Sequence, residues 1–147
     1  MIMRYKKIIM FYLLACFVGA LTGAVGSVFQ ISIHKLEGGL SRLYLYFSAL
    51  SIPSLIISSV TTLILVLFTW VCVKRFAPEA SGSGVQEIEG ALMHQRTVRW
   101  MRVLPIKFMG GIFAIASGMV LGREGPTIQM GGNLGEAIGE GDKLSRK

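Results

Sequence analysis

Charged residues leave two long gaps in the chain. Residues 8–33 (IIMFYLLACFVGALTGAVGSVFQISI) and 52–73 (IPSLIISSVTTLILVLFTWVCV) contain none, and each exceeds the roughly 20 residues that cross a hydrocarbon core of about 30 Å. The pattern predicts a membrane-spanning helix over each. A third apolar stretch, 103–121 (VLPIKFMGGIFAIASGMVL), is long enough as well, although Pro105 and Lys107 lie near its start. It is expected to span too, with a lysine that snorkels or finds a partner.

Two segments break this pattern: 79–92 (EASGSGVQEIEGAL) and 122–139 (GREGPTIQMGGNLGEAIG). Each has a glycine-rich start followed by a short, semi-polar helical pattern, predicting helices over 85–92 and 124–139. Neither can cross lipid alone. In a membrane protein such pieces are tolerated only where protein or a water-filled cavity surrounds them, so both are candidates for lining a pore.

Composition agrees with the membrane reading. Of 147 residues 52% are hydrophobic and 18 are glycine, which is unusual for a soluble domain of this length. The expected fold class is therefore all-α integral membrane, as one domain over 1–147. A net charge of +7 raises the question of nucleic acid, but the basic residues gather at span ends rather than on one polar face, and no nucleic-acid partner is expected. Arg4, Lys6 and Lys7 precede the first span; Lys74, Arg75, Arg96, Arg99 and Arg102 lie between the second and third; the intervening 34–51 segment has only Lys35 and Arg42. This asymmetry predicts a cytoplasmic N-terminus. The basic start also resembles a secretory signal, but the apolar run is far longer than the roughly 7 to 15 residues of such a segment. Tyr44, Tyr46, Phe47, Trp70 and Trp100 suit interfacial belts or ordinary packing equally well.

Small residues recur at every fourth position in two spans: Ala15, Gly19, Gly23 and Ser27 in the first, Gly110, Ala114, Gly118 and Gly122 in the third, with Gly131, Gly135 and Gly139 following. Such faces let helix backbones approach closely in lipid, and scaffold packing is the reading for them. Cys16 and Cys72 lack the spacing of a metal site or a disulfide framework and are read as packing residues. His34 and His94 are isolated, are read as loop residues, and receive no catalytic role. No metal and no cofactor is expected.

The chemistry lies in the two glycine-rich starts. A helix begins with N–H groups that lack intrahelical partners and with about half a positive charge, so it attracts anions. Glycines before it expose those N–H groups to a ligand. Two such starts meeting near the midplane replace an anion's hydration shell, whose loss costs on the order of 20 kcal/mol by idealised estimates. Dipoles and hydroxyls hold the ion weakly enough for release, as a fixed full charge would not. Ser83, between Gly82 and Gly84, can donate to an anion or cap the helix over 85–92. Glu124 reads in two ways as well: as an ordinary acid at a helix start, with Pro126 suited to the first turn, or as an intramembrane carboxylate that competes with an anion and leaves once protonated. Arg123 needs a partner at such depth. Glu87 and Glu89 are the candidates, and a structural Glu89–Arg123 ion pair is expected.

"GSGVQEIEGAL" and "GREGPTIQMGGNLG", separated by "VRWMRVLPIKFMGG", closely resemble the first half of the ClC chloride channel and transporter family, especially its bacterial chloride/proton exchangers. The likeness is strongest over 79–139. It implies an all-helical transporter of inverted repeats, in a bacterial inner membrane, working as a homodimer with one anion pathway per subunit. On that analogy chloride and protons are the transported partners, and the two motifs (Gly82, Ser83, Gly84, Val85, Gln86 and Gly122, Arg123, Glu124, Gly125, Pro126) form the selectivity filter. The Ser83 hydroxyl and the backbone of Gly84 and Val85 would bind chloride, and Glu124 would be the gating carboxylate that also carries protons. A serine at position 83 goes with chloride in this family, whereas proline goes with nitrate.

Two departures qualify the resemblance. The first motif usually reads Gly-Ser-Gly-Ile-Pro; here Val85 and Gln86 stand at the last two positions, and Gln86 gives up proline's fixed φ. The family's second repeat would lie beyond Lys147, so the chain is expected to be a fragment that cannot transport alone. An enzyme reading of "GSGVQE" as a dinucleotide-binding loop fails, because the third glycine is missing and no βαβ alternation surrounds it. A small membrane-anchored assembly or regulatory subunit is the competing class; it would use the same spans without needing Glu124.

Overall fold

A computed structural model describes residues 2–50, 53–93 and 99–141. His94 and Arg96 lie outside the described residues, as do the side chains of Arg4 and Lys7 and the first residue expected of the second span, Ile52.

With no proline to interrupt it, the first apolar segment forms one helix, α1 (Ile2–Ala49), about 72 Å long at 1.5 Å per residue. It runs well past the expected span at 33. The 34–51 segment is helical to Ala49 instead of a separate connection, and His34 is a helix residue, not a loop residue: its Nδ1 lies 3.2 Å from Glu37 one turn on. Hydroxyls within α1 bond back to carbonyls of the preceding turn, Thr22 to Val18 at 2.8 Å and Ser27 to Gly23 at 2.8 Å. They therefore need no water, as an apolar surrounding demands.

The second apolar segment gives α2 (Ser54–Phe76). Pro53 fixes its start, where the Ile56 N–H meets the Pro53 carbonyl at 3.0 Å. Lys74 and Arg75 in its last turn oppose the negative end of its dipole. It buries no residue, and Leu55, Leu63, Ile64 and Phe68 face outward. Both α1 and α2 are long and apolar enough to cross a membrane, and their exposed apolar faces suit hydrocarbon.

The third apolar stretch behaves differently from its expected span. α3 (Val85–Leu92) comes first, as expected, and then α4 (Trp100–Ala116), only about 26 Å long. α4 ends five residues short of 121 because Gly118 takes φ +91 and donates its N–H to Ile115 at 3.1 Å, a conformation costly for other residues. Thr62 of α2 donates to the Ser117 carbonyl at 2.6 Å and fixes this end. Residues 117–123 form a non-helical connection, so Gly118 and Gly122 do not extend the small-residue face of α4. α5 (Glu124–Gly141) follows.

α4 lies at the centre, against α2 on one side and α1 and α5 on the others. Phe29 and Ile33 of α1, Ile112 and Ile115 of α4 and Met130 of α5 make the main core, with the Phe29 and Phe108 rings 5.6 Å apart. Small residues bring these helices close, but α1 uses another face than expected. Ala15, Gly19, Gly23 and Ser27 are all exposed. The buried face is the one carrying Val18, Thr22, Gly26 and Phe29: a Cβ on Gly131 of α5 would stand 3.0 Å from Thr22, and one on Gly111 would stand 2.9 Å from the Phe29 ring. Bulk on α1 meets small residues on its partners, so spacing along α1 alone does not reveal the face.

Candidate functional site

Between α2 and α3 the chain makes a single 3-10 turn, η1 (Pro78–Ala80), and then the first glycine-rich start. Gly82 and Gly84 have φ +73 and +84; Gly84 is the N-cap of α3. The left-handed turn at Gly84 swings the chain so that Val85 begins the helix, with Ile88 donating to the Gly84 carbonyl at 3.2 Å. Gln86 is exposed within the first turn. Its N–H has no intrahelical acceptor there, so the absence of proline does not prevent α3 from starting at Val85.

Ser83 is exposed, and its hydroxyl oxygen accepts the Val85 N–H at 3.4 Å. That distance is beyond the ordinary range for such bonds. The contact is a weak cap, and the hydroxyl proton is left to donate elsewhere.

The second start approaches the first directly. A Cβ added to Gly125 would stand 2.5 Å from the Ser83 carbonyl oxygen, so the backbone of the first motif rests on the opening turn of α5. One turn on, a Cβ on Gly84 would stand 2.6 Å from the Gln129 side chain, whose amide donates to the Glu79 carbonyl at 2.9 Å. A Cβ on Gly132 would collide with Ile88 of α3. Two helix beginnings thus meet, each with N–H groups lacking intrahelical acceptors. Glu124 is the first residue of α5 and is exposed beside this junction.

Lys107 supports the loop from behind. It is 6% exposed and donates to the carbonyls of Ala80 at 2.9 Å and Gly82 at 2.6 Å. Of the two fates foreseen for this lysine, the structure gives the partner. Its charge is spent on these two backbone oxygens.

Arg123 does not meet Glu89. Its guanidinium donates to Gln30 Oε1 at 2.6 Å and lies 3.8 Å from Glu37 Oε1, both on α1. The cause is the packing of α5 on α1: Thr127 sits against Gly26 at 3.7 Å from the position a Cβ would take, which carries Arg123 toward the next turns of α1. Glu79, just ahead of the first motif, lies 3.7 Å from Arg99. The Arg123 carbonyl accepts both the N–H and the hydroxyl of Thr127, at 3.3 and 2.8 Å, and so closes the first turn of α5.

Sequence reading did not single out Gln129 and Asn133. Both are 1% exposed, and Asn133 donates to the Gln129 carbonyl at 2.8 Å. The signal available was two amides four residues apart in a glycine-rich helix, one helical turn that places both on a single face. Nothing in the sequence said that this face turns inward.

A family model described as a voltage gated chloride channel matches residues 63–147. The chain is 47% identical over 135 residues to the H(+)/Cl(-) exchange transporter ClcA of Vibrio campbellii, covering 85% of this chain and 27% of that protein. To the ClcA of Salmonella arizonae it is 43% identical over 142 residues, covering 94% of this chain and 29% of the relative. Its fold matches the crystal structure of a slow cyanobacterial Cl−/H+ antiporter with a TM-score of 0.83 at 36% identity, over 89% of this chain and 31% of that one. The chain therefore spans less than a third of the length of these proteins.

Proposed function

The chain belongs to the voltage gated chloride channel family, and from that premise we propose that it is the first part of a membrane exchanger that moves chloride against protons. The observation that carries the reading is the contact of the Ser83 carbonyl with Gly125, which joins two helix starts beside an exposed Glu124. Relatives named as H(+)/Cl(-) exchangers, with 43% to 47% identity, support chloride and protons as the transported ions.

In this reading an anion sits where the two starts converge. The Ser83 hydroxyl donates to it, and the backbone of Gly84 and Val85 supplies further donors and dipoles. Arg123 stays outside the ion's path, because Gln30 and Glu37 hold it. Glu124 competes for the same positive end of α5. Ionised, its carboxylate occupies the place of the anion; protonated, it has no charge to hold it there and gives way. One proton taken up thus opens the site to one anion, which links the two movements. The complete protein would be a homodimer in a bacterial inner membrane with its N-terminus in the cytoplasm.

The test joins residues 8–139 to the remaining segment of the Vibrio campbellii relative and follows chloride and proton flux from liposomes. Glu124→Gln should abolish proton movement while chloride flux continues. Proton coupling that survives the substitution would sink the gate assignment.

A further inference from the structure

The end of α2 and the start of α4 part around a half-open cavity of about 410 Å³, lined by Arg75, Phe76, Arg102, Pro105 and Ile106. Two arginines and three apolar residues share this lining. Neighbouring cations are engaged: Arg99 faces Glu79 at 3.7 Å, Lys74 lies 4.7 Å from the centre of the Trp70 ring, and Lys107 holds two carbonyls. Among the described residues, neither Arg75 nor Arg102 has an ion-pair partner.

The depth of this cavity follows from α2. Arg75 is the penultimate residue of a helix long enough to cross the hydrocarbon layer, which places its guanidinium where the headgroups begin. Trp70, a little over one turn earlier, and the adjacent Lys74 have the aromatic and cationic character of a membrane boundary. Arg102 enters from the first turn of α4 at the same end. The chemistry at this level is a phosphodiester above two acyl chains. Paired arginines suit its oxygens, because each guanidinium offers a planar fork of donors, and Phe76, Pro105 and Ile106 suit the chains below.

We propose that this cavity binds an anionic phospholipid of the bilayer, its phosphate between Arg75 and Arg102. A soluble anion uses only the arginines and leaves Phe76, Pro105 and Ile106 wet, so the mixed lining favours the lipid. Ile106 also borders a second cavity of about 260 Å³ beside Gly82 and Lys107. The lipid therefore braces α4 next to the lysine that holds the first motif. The proposal does not depend on the transport reading.

The test uses the whole chain in detergent micelles, titrated with phosphatidylglycerol, with phosphatidylcholine and with inorganic phosphate, and counts bound lipid by native mass spectrometry. Phosphatidylglycerol should be retained in preference to phosphatidylcholine, and inorganic phosphate should not displace it. Arg75→Gln and Arg102→Gln should each weaken its binding about fivefold and together about 25-fold. Lys35→Gln with Arg42→Gln, which removes the same charge from α1, should leave it unchanged. Equal binding of both lipids overturns the proposal. So does displacement by phosphate, retention by the double arginine variant, or an equal loss in the α1 control. If the double variant does not fold, the single variants decide by the same criterion.

Discussion

The ammonium group of Lys107 lies 2.6 Å from the carbonyl oxygen of Gly82 and 2.9 Å from that of Ala80, so one buried charge fixes both sides of the first glycine-rich turn. Lys107→Met keeps the length of the side chain and leaves two carbonyls without a donor. Part of their cost is offset because no charge then has to be buried. A net loss of about 1–3 kcal/mol is expected, read as a lower thermal midpoint in detergent together with faster proteolysis between α2 and α3. An unchanged midpoint would show that the loop does not depend on the lysine.

Gly125 and Gly122 belong to the same motif and should answer differently to one added methyl group. At Gly125 the methyl meets a backbone oxygen at 2.5 Å, which cannot turn aside; at Gly122 it meets nothing within 4 Å. Gly125→Ala should push the two helix starts apart and cost about 1–3 kcal/mol or more. Gly122→Ala should stay within about 0.5 kcal/mol of the parent. The measurement is folded yield and melting of the two variants side by side, and similar behaviour would contradict the contact.

Arg123 is expected to couple to Gln30 and not to Glu89. In a double-mutant cycle, Arg123→Gln with Gln30→Leu should give an interaction of about 1 kcal/mol, as for a hydrogen bond to a charged group that is partly exposed. The cycle with Glu89→Gln should give none beyond about 0.3 kcal/mol. Coupling to Glu89 as large as that to Gln30 would overturn the pairing.

Gln129 links α5 to the chain ahead of the first motif. Replacing it with Leu removes the donor to the Glu79 carbonyl and should destabilise by about 1–3 kcal/mol. Gln129→Met, similar in length but without any donor, should lose a comparable amount. Recovery by the methionine would mean that shape, and not the hydrogen bond, matters at this position.

Elements set by local chemistry were legible in the sequence. Pro53 marks the start of α2 to within two residues of expectation, and Gly84 marks α3 at Val85, because both act through their own backbone. The two glycine-rich helix starts were legible from the same local properties; their contact through Ser83 and Gly125 was not. What depended on neighbours was not. Glu89 lies close in sequence to the first motif, yet Arg123 turns to α1, and that choice follows from Thr127 packing on Gly26. The small-residue face of α1 was misassigned for the same reason: periodicity shows which residues share a face, not which face meets a partner. The end of α4 at Gly118 was hidden because Met119, Val120 and Leu121 continue an apolar pattern after the helix has stopped.

Ser83 touches α5 through its carbonyl oxygen, while its hydroxyl remains exposed. The gap between the two helix starts is thus set by a main-chain oxygen on one side and a glycine on the other, and in the proposed reading the group shown to a visiting ion is a side chain that bears none of that load. Width and preference would then be separate variables. On that reading a replacement at position 83 alters which ion is welcome while the doorway keeps its size.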